Sequence, residues 1–167
     1  MELKRFLLEQ LEREAVASRK AIERVPEGRN SYKPHSRSME LGYLAALVAT
    51  MPGWVAFMID YDELDLNGNG KSFRTQPVQT RNELLDLLDN GLKQSRNALE
   101  SATDEHLMKP WKLTMGPQVL SYTPRYSSIL DGVLSHLAHH RGQLTVYLRL
   151  NEASVPAIYG PSADEAH

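Results

Sequence analysis

Residues 127–150 read SSILDGVLSHLAHHRGQLTVYLRL. Apolar side chains recur there at Ile129, Leu130, Val133, Leu134, Leu137, Leu144, Tyr147 and Leu148, the three-and-four spacing of a helix with one buried face. The pattern fades near Asn151. Three of the six histidines, His136, His139 and His140, fall inside this stretch. Residues four apart are separated by about 40° of helical rotation and about 6 Å between Cβ atoms, so His136 and His140 can aim imidazole nitrogens at one point. His139 lies about 60° behind His136 and points partly elsewhere. The pair borders the stripe of Val133, Leu137 and Leu144, which places it facing inward or lining a cleft.

The HxxxH spacing lacks the glutamate that would make it the HExxH of metalloproteases. Its structural alternative is a pair of core-edge histidines satisfied by hydrogen bonds, with His139 exposed. Two imidazoles also fall short of the three protein ligands that a catalytic zinc takes. A third ligand has to come from another helix.

Working upstream, residues 80–102 open with Thr80-Arg81-Asn82-Glu83, a capping box that predicts a helix burying Leu84, Leu85, Leu88, Leu92 and Leu99. Gly91 inside it costs about 1 kcal/mol of helix propensity against alanine. Residues 40–59 predict a second helix, apolar on several sides through Leu41, Leu44, Leu47, Val48 and Met51, with Ser38 three residues before Leu41. Pro52 and Gly53 break it, because proline lacks the amide donor and clashes with the preceding turn. Residues 2–25 place Leu3, Leu7, Leu11, Ala15 and Ile22 on one helical stripe. Predicted core positions are Phe6, Leu7, Leu44, Val48, Leu84, Leu88, Leu92, Val133, Leu137 and Leu144.

Between the helices, residues 61–78 are polar and glycine-rich and read as a surface loop long enough to cover a pocket. Residues 111–115 and 118–122 flank Gly116-Pro117 and read as a small hairpin. The architecture expected is all-α, a four-helix bundle forming one domain over residues 1–167, with that hairpin ahead of the last helix.

Composition narrows the function. Of 167 residues, 41% are hydrophobic and 24% charged, and 19 Lys and Arg against 21 Asp and Glu leave a net charge of −2, which argues against nucleic acid as a partner. With no cysteine, disulfides, thiolate nucleophiles and Cys-containing zinc sites are excluded. Any metal has to be held by histidine and carboxylate. The N-terminus offers no uninterrupted apolar run for a signal peptide, and no run of about 18 consecutive apolar residues predicts a membrane span, so a cytoplasmic location is expected.

The run from His136 through Arg141-Gly142-Gln143-Leu144, followed by Tyr147-Leu148-Arg149, resembles the signature of the DinB/YfiT-like family. Supporting resemblance comes from Leu41-Gly42-Tyr43-Leu44-Ala45, Met51-Pro52-Gly53-Trp54, Pro110-Trp111 and the tail from Val155 to Asp164, in the family's order over nearly the whole chain. The resemblance implies a four-helix bundle, often a homodimer, with a nickel or zinc site made by one histidine of the second helix and the two of HxxxHRGQ. It also implies relatives that are transferases or isomerases using low-molecular-weight thiols. The chain departs from the pattern at the second-helix position, which aligns with Leu47, a residue that cannot ligate a metal. The site expected is therefore an incomplete pair, His136 and His140, with Tyr43, Leu47, Thr50, Trp54 and Gln143 as pocket-lining positions.

Other chemistry-bearing residues have structural readings beside the functional ones. Arg141 can hold an anionic substrate or pair with a carboxylate, and Trp54 and Trp111 can floor a pocket or fill the core. His35 can reach the pair only by swinging in from its loop. Asp60, Asp62, Glu63 and Asp65 lack the full ligand pattern of a calcium loop and read as a solvated run. Two functions follow. One is a pocket protein derived from a metal-dependent transferase or hydrolase scaffold; the other is a non-catalytic bundle that binds an apolar small molecule or a protein between its second and fourth helices.

Overall fold

A computed structural model of the chain describes residues 2–68, 75 and 78–166. The stripe of the first helix becomes α1 (Leu3–Ile22), which buries Leu7, Leu11, Ala15 and Ile22. It ends three residues sooner than the expected residue 25. The second apolar run divides at the proline, as α2 (Leu41–Thr50), a 3-10 turn (Met51–Gly53) and α3 (Trp54–Asp60). The capping box opens α4 (Arg81–Ser101): Thr80 Oγ1 accepts from the Glu83 amide at 3.2 Å and Glu83 Oε2 accepts from the Thr80 amide at 2.8 Å. These helices share one core cluster, in which every predicted core residue is buried except Phe6, which is half-buried against it.

Two features of α4 hold the break in place. Ser95 Oγ donates to the Pro52 carbonyl at 2.7 Å and accepts from the Ala56 amide at 3.1 Å, satisfying backbone groups that the proline separates. Gly91 lies against Gly53 so closely that a Cβ on Gly91 would stand 3.0 Å from the Gly53 nitrogen and 3.1 Å from its Cα. Alanine normally strengthens a helix interior by about 1 kcal/mol over glycine, but here the added methyl meets backbone that cannot step aside. Gly91→Ala is expected to destabilise the protein by about 1–3 kcal/mol in chemical denaturation, the usual cost of overpacking. A more stable variant would mean that the two helices can separate.

The stretch Leu41–Asp60 is long and apolar enough, by length and composition, to cross a membrane, although Thr50, Pro52 and Gly53 interrupt its apolar run. In the fold 72% of its most apolar window is buried inside the chain. Its apolar faces are met by α1, α4 and the last helix.

The expected hairpin forms as β2 (Pro110–Met115) and β3 (Gln118–Pro124), paired antiparallel with Trp111 opposite Thr123 and Leu113 opposite Ser121. Gly116 turns it at φ +60, a conformation only glycine adopts without strain. The loop reading of residues 61–78 is corrected at its start. Glu63–Asp65 is β1, parallel to β2, so the sheet has three strands in the order β1-β2-β3. The carboxylates read as a solvated run fix this strand: Glu63 pairs with Lys112, and Asp65 Oδ1 accepts from the Asn67 amide at 2.9 Å and the Gly116 amide at 2.8 Å. Those two bonds hold the Asp65 carboxyl below its ordinary pKa. The Asn69-Gly70 part of the loop lies outside the described residues. A short α5 (Asp104–Met108), not foreseen in the sequence, precedes β2 and is capped by Thr103, whose Oγ1 accepts from the His106 amide at 3.1 Å.

The last helix is not the uninterrupted 127–150 expected. It runs as α6 (Arg125–Ile129), a π-helical turn (Leu130–Ser135) and α7 (His136–Leu150). Arg125, fully buried, anchors its start: Nε donates to the Met58 carbonyl at 2.5 Å, Nη1 to the His106 carbonyl at 3.0 Å, and Nη2 to the Tyr61 carbonyl at 3.4 Å and Asp62 Oδ1 at 2.5 Å. One side chain thus ties the ends of α3 and α5 beneath the sheet.

Arg141, also buried, takes the structural course foreseen for it. Its guanidinium donates to Glu14 Oε2 at 2.6 Å, to Ser18 Oγ at 3.1 Å and to the Tyr159 hydroxyl, which in turn donates to Glu14 Oε2 at 2.6 Å. Burial, then the bond to Glu14, raises the Tyr159 pKa. The tail after α7 is strapped down by pairs from Arg149 to Asp164 and from Arg24 to Glu165.

Candidate functional site

The sheet and the helix break enclose a cleft of about 600 Å³, within the usual range for small-molecule sites. Strand alternation decides what it sees. Leu64 of β1, Trp111 and Leu113 of β2, and Ser121 and Thr123 of β3 share the face toward the cleft, while Lys112 and Tyr122 belong to the other face. Trp54 and Met58 of α3 form the opposite wall, so the Pro52 break, by starting α3 at Trp54, delivers an indole to the site.

The third wall comes from the last helix, and the π-turn shapes it. Ser128, Asp131, Gly132 and His136 all line the cleft. On a regular α-helix a residue five before His136 sits about 140° away round the axis. The extra residue of a π-turn shortens that to an effective step of four, about 40°, and brings Asp131 to the wall that His136 occupies. Ser128 Oγ and Thr123 Oγ1 hydrogen-bond to each other at 2.9 Å across the corner between helix and sheet.

His136 is exposed toward the cleft, and His140, at 9% exposure, sits behind it. Their Nε2 atoms are 2.8 Å apart, and His140 Nδ1 lies 2.9 Å from Gln143 Oε1. Because the Gln143 oxygen can only accept, His140 carries its proton on Nδ1 and offers the Nε2 lone pair to the His136 Nε2–H. The two Nε2 atoms are therefore used within the pair, while His136 Nδ1 keeps its lone pair. Burial holds His140 below the ordinary imidazole pKa, opposed by the bond to Gln143 and assisted by the neighbouring His136 and His139. The indole of Trp54 is tilted against His136 at 6.3 Å between ring centroids.

The remaining positions named from the sequence are distributed differently. Of the five pocket-lining positions, Trp54 is on the cleft wall, and Gln143 orients His140 from behind. Leu47 is in the core at 8% exposure, Thr50 donates its hydroxyl to the Ala46 carbonyl at 2.7 Å, and Tyr43 is exposed; none of these three lines the cleft. His35 is exposed, and its Nδ1 accepts from the Arg37 amide at 3.1 Å. His139 is exposed, with its ring 5.1 Å from that of His140. Sequence reasoning missed Met58, Leu64, Leu113 and Asp131. Alternation along β2 could have supplied Leu113 beside Trp111; nothing in the sequence marks the π-turn that supplies Asp131.

As a metal centre the donor set is short. Among the described residues no group of three or more His, Asp or Glu side chains is placed to hold an ion. The two imidazoles do not fit a centre that needs three protein ligands.

A family model, the DinB family, matches residues 1–167. Two solved structures share the fold. A DinB-like protein from Bacillus subtilis, YjoA, has a TM-score of 0.66 at 20% identity, covering 90% of this chain and 95% of that one. A DinB-like protein from Bacillus cereus ATCC 10987 has a TM-score of 0.70 at 20% identity, covering 92% and 95%. At that identity the likeness speaks to the fold alone. The uncharacterized protein YrdA of Bacillus subtilis strain 168 is 47% identical over 38 residues, which span 23% of this chain and 23% of that relative's length.

Proposed function

The chain belongs to the DinB family, and from that premise we propose that it is a cytoplasmic protein that takes a small, largely apolar molecule into the cleft walled by His136, without a resident metal. The observation that carries this reading is the cleft itself. About 600 Å³ of mostly apolar space ends on a histidine whose Nε2 is already engaged by His140. An imidazole in that state can position a polar group of the bound molecule. Both tryptophans of the chain stand on the cleft wall, so binding is directly visible in intrinsic fluorescence.

A second reading, a transferase or hydrolase relative that holds nickel or zinc on two histidines and uses a low-molecular-weight thiol, has one observation in its favour. The Nε2 atoms of His136 and His140 converge, and Gln143 holds the other nitrogen of His140, as hydrogen-bond acceptors behind metal-bound imidazoles do. Such an ion would depend on water or substrate for its remaining positions.

Metal analysis of tag-free protein, paired with fluorescence titration by a neutral quencher such as 4-nitrobenzyl alcohol, separates the two. The expected result is saturable quenching of Trp54 and Trp111 by protein with far less than one equivalent of metal. Near-stoichiometric nickel or zinc, lost on His136→Ala and His140→Ala, would replace this reading with the second.

A further inference from the structure

We infer that the cleft selects an organic cation, an ammonium group carried on an aromatic or aliphatic body. This rests on the proposal that the cleft binds a small molecule and adds the charge of that molecule.

Asp131 is the one formally charged residue among the described walls of the cleft. Its carboxylate is exposed, and among the described residues it makes no hydrogen bond or ion pair. Two cations of the described elements that wall the cleft are already committed. Arg125 is buried against three carbonyls and Asp62, and Lys112 pairs with Glu63 on the opposite side of β2. Among the described residues, therefore, no cation pairs with the Asp131 carboxylate, and it lines the cleft because the π-turn brings it round beside His136.

The other walls complete the match. Trp54 and Trp111 are indoles, and the negative faces of such rings attract cations, most strongly where water is displaced. An anion entering the same space would meet the Asp131 carboxylate and, among the described lining residues, no lysine or arginine. A neutral body gains the apolar contact of Met58, Leu64 and Leu113 and at most a hydrogen bond, not an ion pair, from Asp131. An ammonium gains both.

The test uses three probes of one shape: 4-nitrobenzylamine, cationic at pH 7; 4-nitrobenzyl alcohol, neutral; and 4-nitrophenylacetate, anionic. Each is titrated against the full chain by tryptophan quenching at low and high salt. The amine is expected to bind at least about 10-fold more tightly than the alcohol, with the acetate weakest, and the preference should shrink with salt. Asp131→Asn, at an exposed position, should lower affinity for the amine about 10-fold and bring it level with the alcohol. Equal affinities for amine and alcohol, or a preference that survives Asp131→Asn, would overturn the inference while leaving the cleft as a binding site. No saturable quenching by any probe would overturn the binding reading as well.

Discussion

Arg125→Met is expected to lower the stability of the protein by about 3–5 kcal/mol, the cost of leaving three backbone carbonyls without their buried donors. For a chain of this size that corresponds to a fall in Tm of roughly 10 °C. The loss comes from the backbone. Methionine fills most of the space but leaves the carbonyls of Met58, His106 and Tyr61 without the donors that Arg125 supplies. The ion pair contributes little, because the Asp62 side chain is 89% exposed and solvent screens it. Asp62→Asn is accordingly expected to cost no more than about 1 kcal/mol. Thermal unfolding of both variants checks the assignment; equal losses would mean that the salt bridge, and not the carbonyl cradle, holds α3 to the sheet.

Leu47→His is expected to raise zinc or nickel affinity at least about 100-fold, because a third imidazole adds several kcal/mol and about 2.7 kcal/mol already gives that factor. The parent has only the paired nitrogens of His136 and His140 to offer. The family resemblance aligns Leu47 with the missing ligand, and α2 packs directly against α7, the helix that carries the pair. Leu47 is in the core, so the substitution also costs apolar contact. Titration calorimetry and melting should be read together. Tight binding that vanishes on adding His136→Ala would establish the geometry. Equally weak binding in parent and variant, with a lowered Tm, would show Leu47 turned away from the pair.

The parts of this structure that could be read from the sequence are those written in local chemistry. The four apolar periodicities gave four helical stretches, Thr80 and Glu83 marked the start of α4, Pro52 marked the break, and Gly116-Pro117 marked the hairpin. The pairing of His136 with His140 followed from a spacing of four on one helix. What escaped depends on distant partners. β1 is three residues long, and only the β2 strand, far along the chain, makes it a strand. Gly91 reads as a weak point in α4 until Gly53 is seen against it. Nothing in the sequence singles out Arg125, since no local pattern announces three carbonyls converging on it. The π-turn adds one residue to a helix without any proline or other breaker to mark it, so the cleft position of Asp131 could not be deduced from a 3.6-residue period.

The knot of Glu14, Ser18, Arg141 and Tyr159 has a consequence for how the chain is made. Arg141 meets Glu14 across 127 residues, and Tyr159 meets it across 145. During synthesis at about 5–20 residues per second, α1 waits on the order of 10 s after leaving the ribosome before its partner arrives. Throughout that interval Glu14 stays in water and the apolar face of Leu7 and Leu11 has no finished core to enter. α4 can pack against α1 earlier, but the buried polar contacts of Glu14 are among the last to form. A chain released short of Tyr159 would carry a loosely held N-terminal helix, the kind of exposed apolar segment on which chaperones and proteases act.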